Sequence, residues 1–261
     1  MMYIHLWTGS SHTTRWRVMA GPLAVVTGGG RGIGAAVSER LAKDGYRVLL
    51  TYHTSSHPAE EVVGRILAGG SDGVAVKVDC SDSGEVALLA DHPWVKNGVD
   101  VLVLNHGRYD RMPAQDLSHQ RLRQTMATNF EGAFLVWEAV RPFLVDDAGI
   151  IVVGSQLGIR GSPHGADYSA SKGALHAWAR SLAQAVGPLG QRVNVIAPGF
   201  VDTAILAGDS AEKREQRESE VPLRRIGQPE DIAAVVSFLA SSDSSYVSGA
   251  VIHVNGGLFL P

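Results

Sequence analysis

Cysteine is nearly missing from this chain, with Cys80 the single one among 261 residues. An internal disulfide is excluded, as is a metal site built from two or more thiolates. Blocks of like charge are missing too. The 23 Lys and Arg are set against 26 Asp and Glu, and the formal net charge of −3 argues against a dedicated nucleic-acid surface. No apolar run reaches the ~18 residues that span a bilayer, so no membrane role is expected. The histidines form no His-x-x-x-His pair on a helix beside an acidic cluster, so no metal is expected either.

What is present fits one large domain: 45% of residues are hydrophobic and 19% charged, enough for a substantial core. The cysteine usage suits the reducing cytoplasm, the expected location. Met1 to Gly21 shows neither helical nor strand periodicity and reads as a disordered tail, with Met19 an alternative start. Beyond it, short β-branched runs alternate with longer amphipathic stretches. Leu23 to Thr27, Arg47 to Tyr52, Val74 to Val78, Val99 to Leu104, Gly149 to Gly154, Arg192 to Ile196 and Ala250 to Val254 read as strands. Their continuous apolar character suits a sheet covered on both faces, and the gaps are long enough for helical crossovers. The expected fold is α/β, a single-domain doubly wound parallel sheet (Rossmann-type) of about seven strands spanning residues 22–261. Residues 199–228 break the rhythm and read as a lid, with Glu212 to Glu220 a solvated helix.

Two motifs carry chemistry. The first strand runs into Thr27-Gly28-Gly29-Gly30-Arg31-Gly32-Ile33-Gly34 and then a helix, a context in which backbone N–H groups and the helix N-terminus can cradle a pyrophosphate. Farther on, Tyr168 and Lys172 stand four residues apart, on one face of a helix. There an ammonium favours the phenolate and brings a phenol that titrates near pH ~10 closer to neutrality.

With Asp79 after the third strand, Asn105-x-Gly107 after the fourth, Asn129, Ser155 after the fifth, and Pro198-Gly199 after the sixth, this chain resembles the short-chain dehydrogenase/reductases from Leu23 to Gly257. It is most similar to the 3-oxoacyl-(acyl-carrier-protein) reductase type. The resemblance implies that Tyr168 is the general acid, that Lys172 lowers its pKa and contacts the nicotinamide ribose, and that Ser155 donates to the substrate carbonyl. Asn129 would hold a water linking Lys172 to solvent. Asp79, with Cys80 beside it, would meet adenine, while Asn105 and Gly107 support the nucleotide and Pro198, Gly199, Val201 and Thr203 flank the nicotinamide. Cys80 also reads as core filler. The family keeps a small residue where this chain has His106, which reads as either a change to the pocket or a tolerated loop histidine.

No acidic residue follows the second strand to bind ribose hydroxyls, whereas Arg31, His53 and Ser55 stand where a phosphate would be met; NADP(H) is favoured, with NAD(H) the alternative. Leu157, Ile159, Pro163, His164, Phe200, Ile205 and Leu206 outline a largely apolar substrate pocket or the packing of the lid. The expected substrate is a small-molecule or carrier-bound ketone, first a 3-oxoacyl thioester and otherwise a polyketide or secondary-metabolite ketone. Arg108, Arg111, Arg121 and Arg123 form either a dock for an acidic carrier or a solvated basic face. A catalytically silent nucleotide sensor is the alternative from another class, and a sugar-nucleotide epimerase shares Tyr-x-x-x-Lys with a different glycine pattern. A homotetramer is implied by the resemblance, with Ala174, Leu175, Ala177 and Trp178 facing either a partner helix or the chain's own core, and the apolar end Leu258 to Pro261 as a further contact candidate.

Overall fold

Leu23 and Val25 pack into one hydrophobic cluster and Ala24 and Val26 into another, because successive side chains of a strand leave opposite faces of a sheet. That split repeats across seven parallel strands: β1 (Leu23–Val26), β2 (Arg47–Tyr52), β3 (Gly73–Lys77), β4 (Val99–Leu104), β5 (Leu144–Val153), β6 (Arg192–Pro198) and β7 (Val251–Val254). Their spatial order is β3-β2-β1-β4-β5-β6-β7. The computed structural model describes residues 21–261, so the tail expected over Met1 to Gly21 lies outside the described residues apart from Gly21.

Among the described residues, ten α-helices and several short 3-10 turns connect the strands. They are α1 (Gly32–Lys43), α2 (Ser56–Ala68), α3 (Ser83–Ala90), α4 (Pro93–Lys96), α5 (His119–Met126), α6 (Gly132–Val140), α7 (Leu157–Arg160), α8 (Ala166–Val186), α9 (Ala211–Glu220) and α10 (Pro229–Ala240). One face of the sheet is covered by α1, α2 and α10 through Val37, Leu41, Val62, Ile66, Ile232, Val236 and Leu239. On the other, α3, α6 and α8 contribute Val86, Leu89, Val136, Val140, Leu175, Ala179 and Leu182. The chain reverses its winding between β1 and β4, which share register from Ala24↔Val101 to Val26↔Val103. A crevice opens there, at the carboxyl ends of the strands.

One strand boundary needs correction. β5 begins at Leu144, five residues before Gly149, because Leu144 pairs with Val99 ahead of a register shift. Its exposed Asp146 and Asp147 hide that extension from a hydrophobicity reading. Of the two readings of Leu175, partner contact or core, its 1% exposure selects the core.

Candidate active site

The glycine turn after β1 is shaped by what lies around it. Gly28 and Gly32 have φ of 62° and 52°, the left-handed region that a residue with a Cβ enters at a cost. Gly34 starts the helix so close to Gly28 that a Cβ would lie 2.2 Å from the Gly28 carbonyl oxygen. Asn105, at the end of β4, donates through Nδ2 to the carbonyls of Thr27 (3.0 Å) and Gly28 (3.2 Å) and so fixes the turn. The first turn of α1 has no acidic residue, and Arg31 at its N-cap makes no capping bond. Open N–H groups, a positive helix end and an exposed arginine together fit the diphosphate of a dinucleotide.

Along the rim, His53 Nε2 lies 3.5 Å from Asp79 Oδ2, at the ends of β2 and β3. Asp79 Oδ1 accepts from the Ser81 N–H and hydroxyl, bonds that hold its carboxyl below the usual range. Ser55 caps α2 without a side-chain bond and is exposed. Cys80 is different: burial pushes its thiol up to about 12, and its side chain is core filler with no reactive thiolate. Thr203 approaches from the far side, its Cγ2 3.3 Å from where a Gly32 Cβ would be. Val201, paired with Gly227 in an isolated bridge, is 7% exposed and contributes backbone more than side chain to that wall. Pro198 and Gly199 finish β6, and the Pro198 carbonyl accepts from Gln156 N, next to Ser155.

The four expected catalytic side chains converge. Ser155 follows β5, is 7% exposed, and its hydroxyl accepts from Leu157 N at 3.1 Å while lying near enough to the Tyr168 phenol on α8 to pull its pKa down. Lys172 lies one turn on, with Nζ 5.6 Å from the Tyr168 ring centroid and donating to the Val153 carbonyl at 2.7 Å. Burial brings this ammonium down to about 8. Here the structure departs from expectation: Tyr168 is pushed up to about 12, with burial the largest cause, the Ser155 hydroxyl opposing it and Tyr109 adding to it. The phenol therefore stays protonated at neutral pH, although Tyr168 as a whole residue is only half-buried.

Asn129 is fully buried in a π-turn, Ala127–Glu131. Its Oδ1 accepts from Arg108 N at 2.8 Å, and its Nδ2 donates to the Arg108 carbonyl and to Ser171 Oγ, each at 3.0 Å. A Cβ on Gly107 would lie 3.2 Å from Asn129 Oδ1 and 3.7 Å from Lys172 Nζ, so Gly107 keeps the space between them open. His106 turns inward: its Nδ1 is 2.8 Å from Thr27 Oγ1, its Nε2 is buried without a partner, and burial lowers it to about 4.

Some neighbours escaped the sequence reading. Tyr109 packs on Tyr168 with ring centroids 4.5 Å apart. Asp167, 2% exposed and adjacent to Tyr168, accepts from Thr125 Oγ1 at 2.7 Å and lies 3.5 Å from Arg121 Nε. No local pattern announces these contacts, because each joins loops or helices distant in sequence. They also revise the basic face: Arg108 pairs with Asp110, and Arg121 with Asp110 and Asp167, which leaves Arg111 and Arg123 as its outward cations. Of the proposed pocket residues, Ile159, Pro163, His164 and Ile205 are exposed, Leu157 and Phe200 half-buried, and Leu206 is 4% exposed.

Among the described residues, no group of three or more His, Cys, Asp or Glu is placed to hold a metal, and no helix is long and apolar enough to cross a membrane. The sequence profile of the family described as Enoyl-(Acyl carrier protein) reductase matches residues 28–259. An uncharacterised oxidoreductase of Methylorubrum extorquens is 38% identical over 246 residues, covering 92% of this chain and 98% of the relative. A 3-oxoacyl-(acyl-carrier-protein) reductase of Staphylococcus aureus is 35% identical over 240 residues, 91% of this chain and 98% of its own. Among solved structures, a short chain dehydrogenase from Burkholderia cenocepacia in complex with NADP superposes with a TM-score of 0.85 at 33% identity, covering 91% of this chain and 97% of that one. The chain belongs to the short-chain dehydrogenase/reductase family of NAD(P)-dependent oxidoreductases.

Proposed function

We propose that the chain uses NADPH to reduce the ketone of a 3-oxoacyl thioester to a secondary alcohol. The observation that carries this is the Ser155 hydroxyl set close to the Tyr168 phenol, beside Lys172, at the strand ends that also hold the glycine turn. Two O–H groups aimed at one place suit a carbonyl oxygen that gains negative charge. NADPH, when bound, supplies the hydride.

The protein's own groups do the rest. Ser155 stabilises the growing charge, and Tyr168 delivers a proton to oxygen. At about 12 the phenol is held in its protonated form at neutral pH, the form from which it can pass its proton to the oxygen that gains charge. Lys172 would resupply the proton to Tyr168 through a water held near Asn129, in the space that Gly107 keeps open between them. Arg31, His53 and Ser55 would meet the ribose phosphate, consistent with the NADP bound in the Burkholderia relative. The thioester class is supported by the name of the Staphylococcus relative and by the apolar rim of Leu157, Ile159, Phe200 and Ile205. A homotetramer is part of the same proposal, supported by the aromatic cluster of Phe130, Phe134, Trp137 and Trp178, in which Phe134 is 37% exposed.

Tyr168→Phe tests the chemistry. Acetoacetyl thioester reduction should fall by roughly 10²- to 10⁴-fold while NADPH binding, followed by cofactor fluorescence, is retained. Wild-type turnover in that variant would overturn the mechanism. Activity of the wild type on cyclic ketones but not thioesters would move the substrate to the secondary-metabolite class, and absence of any ketone turnover would favour a nucleotide sensor. NADH preferred over NADPH would reject the phosphate site.

A further inference from the structure

The loop that carries Ser155 rests on a histidine. His176 is 2% exposed, on α8 one turn beyond Lys172. The Ser155 backbone N–H donates to its Nε2 at 3.4 Å. A Cβ on Gly154 would lie 2.3 Å from Nε2, and one on Gly158 would lie 3.1 Å from Cε1. The imidazole thus fills the volume beneath the loop from Gly154 to Gly158, and glycine at both ends lets the backbone settle on it. A second tether holds the same loop from the other side, where Asn255 Nδ2 donates to Gln156 Oε1 at 3.2 Å.

Because Ser155 N is a donor, Nε2 must present its lone pair, which puts the proton on Nδ1. That Nδ1 is buried without a partner. An orphaned polar atom in a packed interior is destabilising, so an apolar side chain of similar size would suit the core better unless the ring serves the loop. The charges bearing on it are Lys172 and Arg180 of its own helix and, from β7, His253; all three oppose a second proton. Nothing acidic draws the ring into the charged form, which would lack the acceptor.

We infer that His176 is a positioning residue for Ser155, the neutral imidazole holding the serine's backbone through Nε2 so that its hydroxyl stays aimed at Tyr168. This rests on the reading of Ser155 as a catalytic group.

Three variants test it on an acetoacetyl thioester or, if the wild type prefers one, a cyclic ketone. His176→Leu removes the acceptor at similar volume and should lower kcat by roughly 10- to 100-fold, the scale of a catalytic group displaced by about 1 Å, with NADPH affinity unchanged. His176→Gln, whose Oε1 reaches the Nε2 position, should stay within about threefold of the wild type, while the shorter His176→Asn should not. In a Ser155→Ala background, His176→Leu should cost little more, whereas a merely structural role would add its full loss. Wild-type turnover in His176→Leu overturns the inference, as do equal losses in Leu and Gln. If His176→Leu does not fold, the contrast between Gln and Asn decides instead, and equality overturns it. Nitrogen-15 NMR should read the ring as the Nδ1–H tautomer; the opposite tautomer rejects the contact. Wild-type kcat in Ser155→Ala alone would instead reject the catalytic reading of Ser155.

Discussion

At Gly34 the fold leaves no room for a single methyl group. A Cβ would sit 2.2 Å from the Gly28 carbonyl oxygen and 2.6 Å from Asn105 Nδ2, and neither can yield without moving the turn. Gly34→Ala should destabilise the protein by about 1–3 kcal/mol and weaken NADPH binding at least ~10-fold, read by thermal melting and a fluorescence titration. Gly64 is the contrast: exposed on α2, with nothing within 4 Å of a Cβ, so Gly64→Ala should stabilise by about 0.5–1 kcal/mol. Equal melting points for the two variants would refute the steric account. The glycine turn and the pair of Tyr168 and Lys172 were legible in the sequence from their spacing relative to strand and helix ends, and Ser155 through the family resemblance. Tyr109, Asp167 and the burial that raises Tyr168 were not, since they arise where separate segments meet.

At the scale of elements, residues 199–228 show how a charge-rich stretch becomes ordered structure. The expected helix over Glu212 to Glu220 forms as α9, and its surface is mostly exposed, yet Arg217 is 4% exposed. Its guanidinium forks onto Asp209, which it holds below the usual carboxylate range, and stacks 4.5 Å from the centroid of Phe200. Arg214 makes a second fork onto Asp202. Periodicity finds the helix, but a run of alternating charges does not say which arginine turns inward. Arg217→Ala leaves Asp209 without its partner and Phe200 without its cover. Because breaking a largely buried pair costs about 3–5 kcal/mol, local opening of residues 199–228 should increase. The expected outcome is faster proteolysis confined to that segment and a raised KM for the ketone, with the core melting transition little changed. Protection of the segment equal to the wild type would show that the pair does not hold it in place.

Across the whole molecule, the doubly wound parallel sheet followed from alternating strands and helices, whereas the protonation balance of the interior depends on burial that only the folded chain defines. His106 and His176 are each lowered to about 4 by burial, against ~6.5 for a free imidazole. Between those values the unfolded chain binds a proton at each ring and the folded chain does not. Stability therefore rises with pH across the window, and falls as pH drops from ~6.5 toward ~4, where the folded rings begin to titrate. For His176, 2% exposed, the full loss is roughly 3 kcal/mol. Lys172, lowered to about 8, has its unfavourable contribution fully in place below that pH and adds no slope. Asp79, Asp209 and Asp231 are held below the usual carboxylate range, so what they contribute is lost only near and below pH ~4, as the acid end of the window is reached. Unfolding free energies at a fixed protein concentration, measured between pH 7 and pH 5, should decline for the wild type and decline distinctly less for His176→Gln, which cannot take up the proton. Parallel curves for the two proteins would mean that His176 binds its proton equally well folded and unfolded, and that the ring beneath Ser155 is not held neutral by its surroundings.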